Sequence, residues 1–267
     1  MIDRATVHRR SMITGSIAAV GAAAIGWRFV QAEGEQGEWG YEGEHGPEHW
    51  GGLSEANSAC ATGTMQSPLD LSSEGAEDVE IPNIELMYEP VSDFTVEDNG
   101  HTIRVPISND SAAALDGRLF KLVEFHFHAP SEHTIDGQHA DMELHMVHVR
   151  PEQTDEKLVL GVLLMSGEDN QALTDVFNHL PGAPHESVQA AGWIDPSTFI
   201  PEDKRSFRYL GSLTTPPCTE GVHWVVFAQP MPISAEQHSR FVERHEGNSR
   251  PAREANPGEV VEDVSAD

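Results

Sequence analysis

The chain has 267 residues, with 44 acidic side chains against 16 basic ones and a formal net charge of -28. A surface this negative repels phosphate backbones, which argues against nucleic acid as a partner. Hydrophobic residues make up 38%, and five Trp and ten Phe can anchor a packed interior, so neither disorder nor a repeat array fits.

The amino terminus reads His8-Arg9-Arg10-Ser11-Met12-Ile13, followed by a weakly apolar stretch rich in Ala and Gly. Positive residues before a short apolar region form a signal-peptide pattern, and the paired arginines point to the twin-arginine route. Residues 1–32 are the expected signal, with cleavage after Ala32, and an exported protein, periplasmic or extracellular, follows. An uncleaved anchor is the rival reading, but Arg28 interrupts the apolar run, so no stable membrane span is expected in the mature chain. Residues 33–253 form the expected single domain, and residues 254–267 a loose acidic tail.

Within the domain, Glu33–Glu48 reads as an ordered loop around Trp39 and Tyr41. Short runs of β-branched and aromatic residues follow at Phe94–Val96, Thr102–Ile107, Leu119–His128, Glu143–Val149, Leu158–Met165 and His223–Ala228. Gly, Pro, Asn and Asp separate them, which predicts a mainly β protein. Helical spacing predicts helices over Asp169–Leu180 and Ala235–Arg244.

Chemistry concentrates in Leu122-Val123-Glu124-Phe125-His126-Phe127-His128. On a strand, alternate side chains share a face, so Glu124, His126 and His128 point one way and the two phenylalanines the other. Glu143 and His145 repeat the arrangement in a second run. Three neutral imidazoles on neighbouring strands make a zinc site with a fourth position open. A carboxylate two residues before a ligand can accept its other ring proton, so Glu124 would orient His126 and Glu143 would orient His145. Each histidine, taken alone, is equally well a core or surface residue. Cys60 and Cys218 would be free thiols in a cytosolic chain, whereas export favours a disulfide between them. Closing that loop could contribute on the order of 5 kcal/mol in the chain-entropy model.

These motifs, together with Trp39-Gly40-Tyr41, Gly46-Pro47-Glu48-His49-Trp50, Gln66-Ser67-Pro68, Asn99-Gly100-His101, Ser131-Glu132-His133-Thr134 and Leu213-Thr214-Thr215-Pro216-Pro217, resemble the signature blocks of alpha-class carbonic anhydrases, in the same order from about Trp39 to Arg253. The resemblance implies one domain around a large twisted, mostly antiparallel sheet of about ten strands with short peripheral helices. It implies reversible hydration of CO2 to bicarbonate with zinc hydroxide as nucleophile, Zn2+ as cofactor and His126, His128 and His145 as ligands. Thr214 would act as gatekeeper bonded to Glu132, His101 as proton shuttle, and Tyr41 as a residue ordering the intervening waters. Asn248 joins Glu124 and Glu143 in support of the ligands. Val147, Val159, Leu213, Thr215, Val222 and Trp224 would line the CO2 pocket, and Cys60 would pair with Cys218. His133, His148 and His179 are left as structural or superficial. A homodimer stays open, as do a non-catalytic binding or adhesion domain of the same fold and a zinc esterase. The family usually carries Gln where this chain has Glu124, and the extra negative charge implies a more basic bound water and tighter metal retention.

Only Lys121, Lys157 and Lys204 are lysines, and acid excess with lysine scarcity fits a protein adapted to strong salt. At 1 M salt the Debye length falls to about 3 Å, which suppresses self-repulsion. Thermal unfolding over a salt series should therefore show stability rising with salt; equal or greater stability in dilute buffer would contradict the expectation.

Overall fold

The computed structural model describes residues 37–72, 74–81, 84–256 and 258–264, and the expected signal segment lies outside them. The principal strands are β1 (Thr95–Asp98), β2 (Ile103–Pro106), β3 (Arg118–His128), β4 (Met142–Arg150), β5 (Gln153–Ser166), β6 (Ser206–Ser212), β7 (Glu220–Ile233) and β8 (Val261–Asp263). They lie in one 12-stranded sheet, in the spatial order β1, β2, β3, β4, β5, β7, β6, β8, with short strands at both edges and a branch beside β3. Most pairs are antiparallel, as expected, but β5 and β7 run parallel at the centre of the sheet. The sheet is larger than the ten strands anticipated because residues 77–79 and 187–189 add short edge strands.

Two-residue periodicity divides the sheet into two apolar faces. Phe125 and Phe127 of β3, Leu144 and Met146 of β4, Leu158, Leu160, Val162 and Leu164 of β5, and Val225 and Phe227 of β7 face one large core. Phe177 and Phe241, from the short helices over that face, close it. The opposite face carries a smaller cluster with Val159, Phe207, Tyr209, Val222, Trp224 and Val226. Each large buried side chain contributes roughly 1.5–3 kcal/mol, so the larger cluster dominates the stability of the sheet.

The helix Ala235–His245 forms as predicted, one residue longer. Ser234 caps it, accepting from the Gln237 backbone N–H, and the Gln237 side chain returns to the Ser234 N–H as a capping box. The predicted helix over Asp169–Leu180 is broken instead into a 3-10 turn at Gln171–Leu173 and a short α-helix at Thr174–Asn178. Gln237 explains the late start at Gln171. Its side chain accepts from the Asn170 N–H and donates to the Asn170 carbonyl, which holds Asn170 extended and outside any helix.

The end of the chain also departs from expectation. Among the described residues from 253 onward, the strand Arg253–Glu254 pairs with Leu69–Leu71, and β8 adds to the main sheet beside β6. Asp263, fully buried, forms an ion pair with Arg208 of β6. An acidic pair in sequence thus reads as a solvated tail but is a strand whose carboxylate meets a buried guanidinium. Burying Arg208 costs stability unless this carboxylate accompanies it. Asp263→Ala should destabilise the protein by about 3 kcal/mol, read as a lower urea midpoint; a change under about 0.5 kcal/mol, the range of an ordinary surface substitution, would show that the Asp263–Arg208 pair is dispensable.

Candidate active site

His126 and His128 project from β3, and His145 from β4, all towards the smaller cluster. The register places His145 directly opposite His126, and Glu143 opposite His128. The three imidazoles therefore converge: one ligand atom from each lies within 4.8 Å of the others. His128 and His145 are about 1% exposed, so this corner of the site is dry.

Each ring is oriented by a bond to its outward nitrogen. His126 Nδ1 lies 3.0 Å from Glu124 Oε1, His128 Nδ1 lies 2.7 Å from the Asn248 carbonyl, and His145 Nε2 lies 2.9 Å from Glu143 Oε1. The remaining nitrogen of each ring faces the common centre. His128 Nε2 is buried there without a hydrogen-bond partner, an expensive state for a polar atom and the natural one for a ligand. Three imidazoles with one orphaned nitrogen fit a zinc ion. A second group, His133, Glu143 and His145, is equally close, but its atoms already bond one another, at 2.7 Å for His133 to Glu143. It is a hydrogen-bond network.

Glu143 is the hub of that network. Its Oε2 accepts the backbone N–H groups of Glu132 and His133, and its Oε1 meets both His133 and His145. Burial alone would raise its pKa, yet His133 and His145 hold it well below the usual carboxylate range. His133, which the sequence left as a structural or superficial residue, is fully buried and passes the chain on to Tyr209 and Ser67. Gly161, across the register from His145, leaves the space for this: a Cβ there would come within 2.9 Å of Glu143 Oε1. Burial pushes the histidines the other way. His128 and His145 have lowered pKa values and stay neutral, as metal ligands must.

Glu132 lies beside the ligands, its Oε2 3.5 Å from His128 Nε2. Burial lifts its pKa to about 8, against the opposing pull of the Thr214 hydroxyl and of the Arg250 backbone N–H, which donates to its Oε1. Arg250 is a residue the sequence did not single out; its guanidinium ties Gln66, Ser67 and Cys60 together beneath the site. The Cys60–Cys218 disulfide is formed and anchors the loop carrying Thr214 and Thr215.

Val159, Val222 and Trp224 are buried in the cluster on the histidine side, with Val147 and Leu213 packed against them. The Trp224 ring lies 4.9 Å from that of His145, which places this apolar wall at the metal corner. Farther out, His101 stacks on Trp39, centroids 3.8 Å apart, and Tyr41 meets both Trp39 and Trp50 edge-on. Asn248 links the two regions, since its Nδ2 donates to the His101 carbonyl. His148 and His179 lie apart, bonded to Tyr88 and to the Asp175 carbonyl.

Because Glu143 holds the His145 ring and three further N–H groups at once, Glu143→Gln should weaken metal binding, with Zn2+ as the probe, about 10- to 100-fold. Competition against a chromophoric chelator would measure this; unchanged affinity would mean that Glu143 serves packing alone.

Residues 45–258 match the model of the eukaryotic-type carbonic anhydrase family. A carbonic anhydrase of Neisseria gonorrhoeae is 38% identical over 234 residues, covering 86% of this chain and 90% of the relative. One from a Nostoc strain is 34% identical over 269 residues, covering 97% and 99%. Among solved structures, the alpha-carbonic anhydrase of Thermovibrio ammonificans, in complex with the inhibitor sulfanilamide, superposes with a TM-score of 0.79 at 39% identity, covering 85% of this chain and 98% of the other. With the histidine corner, the sheet and the sequence all in agreement, this chain belongs to the alpha, or eukaryotic-type, carbonic anhydrase family.

Proposed function

We propose that this protein catalyses the reversible hydration of CO2 to bicarbonate and a proton, with Zn2+ held by His126, His128 and His145. The observation that carries this reading is the convergence of three imidazoles whose outward nitrogens are each already engaged. Bound zinc supplies a Lewis acid that brings the pKa of a water towards neutrality, for which carbonic anhydrases are themselves the standard example.

The remaining work falls to the chain's own residues. The Thr214 hydroxyl donates to Glu132, which leaves the Thr214 oxygen only to accept, so it aligns a nucleophile that carries a proton and rejects one that does not. Thr215, beside it, lines the approach. CO2 carries no net charge and no donor, and the wall of Val147, Val159, Leu213, Val222 and Trp224 offers it an apolar surface next to the reacting centre. His101 moves the released proton outward, because an imidazole titrates near neutrality and can relay a proton between waters and buffer. Tyr41, at the same rim, orders the intervening waters. The disulfide supports export to an oxidising compartment, periplasmic or extracellular, and no helix among the described residues is long and apolar enough to cross a membrane. The acidic surface supports adaptation to salt.

Stopped-flow CO2 hydration with metal analysis tests the proposal. The protein should hold one zinc and lose activity to a chelator, and Thr214→Ala should lower kcat/KM roughly 10²-fold. Intact protein that holds no stoichiometric metal, or that holds zinc without hydrating CO2, would overturn it. In Glu124→Gln the apparent pKa of the rate should fall, since a carboxylate behind His126 makes the site more negative; an unchanged or higher value would refute that role.

A further inference from the structure

His245 ends the helix Ala235–His245, and its buried imidazole faces Asp98, which is 2% exposed. His245 Nε2 lies 3.0 Å from Asp98 Oδ2, a close buried contact without hydrogen-bond alignment, and neither atom is hydrogen-bonded to any group among the described residues. The other carboxylate oxygen, Asp98 Oδ1, accepts the Gly100 N–H at 2.9 Å. Gly100 adopts φ +87°, and the His185 ring presses so close that a Cβ there would come within 2.6 Å of it. Asn99 Oδ1 then accepts the N–H groups of both His101 and Thr102. The loop that carries His101 is thus tied down at each residue from Asp98 to Thr102.

The same short run that supplies His245 also grips the metal strand. The Gly247 N–H donates to the Ala129 carbonyl. Asn248 donates to the carbonyls of His101 and Phe127, accepts from the Ala129 N–H, and offers its own carbonyl to His128 Nδ1. Residues 245–248 therefore form a brace with one end on the His101 loop and the other on a zinc-ligand strand.

We infer that Asp98 and His245 are positioning residues for proton transfer: their buried contact fixes the His101 loop at a set distance from the His128 end of β3. The inference rests on the reading of His101 as proton shuttle. Relay through waters depends steeply on distance, and a displacement of the order of 1 Å can cost up to about 10²-fold in a positioned reaction. CO2 attack itself takes place at the metal corner and does not need the loop.

The test compares His245→Phe, Asp98→Ala and His101→Ala in stopped-flow CO2 hydration at low and high imidazole concentration. His245→Phe keeps a ring against Phe241 and removes only the contact to Asp98. Expected for His245→Phe and Asp98→Ala is a kcat about tenfold lower at low buffer, with kcat/KM unchanged and imidazole restoring the rate. In a His101→Ala background neither change should lower kcat further. If His101→Ala slows the low-buffer rate while His245→Phe and Asp98→Ala do not, the shuttle stands and the positioning role is overturned. If His101→Ala itself leaves that rate intact, the shuttle reading fails and takes this inference with it. A fall that persists in the His101→Ala background, or that extends to kcat/KM, would also overturn it, because the pair would then be serving the metal corner or the fold. Should Asp98→Ala fail to fold, His245→Phe decides alone.

Discussion

An imidazole binds zinc usefully only if its ring is held with the correct nitrogen forward, and this constraint organises the centre of the molecule. Each of the three converging rings is held through its back nitrogen by a different device: Glu124 on the same strand, the Asn248 backbone, and the buried carboxylate of Glu143. None of these could act alone in a dry site. Glu143 stays charged there because four donors surround it, and it has room because Gly161 lacks a side chain. The network then extends through His133 to Tyr209 and Ser67, so the orientation of one ligand is tied to the far side of the smaller cluster.

The same pleat that points the histidines one way points phenylalanines the other. The larger core lies under β3, β4, β5 and β7 and holds those strands rigid where the ligands project. That division lets a costly arrangement of buried polar groups sit on one face while apolar burial on the other supplies the stability. The smaller apolar cluster lies on the polar side, where its Trp224 ring packs against His145. The excess of acidic over basic side chains is a property of the whole chain, and none of these converging groups depends on it.

The strands β3 and β4, their alternate faces and the Glu-x-His spacing could be read from the chain because a period of two is a local property of an extended backbone. The helix Ala235–His245 was legible for a similar reason, its cap and its periodicity lying within a few residues of each other. Strand β6 was not. In it Arg208 reads as the solvent face between Phe207 and Tyr209, yet it is buried against Asp263. The tail around Asp263 was misread for the mirror-image reason, since two acids at the end of an acidic chain look like solvated surface. The helical segment expected from Asp169 starts only at Gln171 because a side chain more than sixty residues away captures the Asn170 backbone.

The sequence by itself therefore determined which residue types face together along each strand, and with the family's motifs it pointed to the three histidines that converge and to the cysteine pair that forms the disulfide. Only the tertiary structure decided how those pieces are held. The hub role of Glu143, the burial of His133, the Arg250 backbone bond to Glu132 and the brace from His245 to Asn248 each join residues from separate segments of the chain. Local periodicity carries no information about such pairings, because a buried hydrogen bond is chosen by which polar atoms are left facing one another once the sheet has formed.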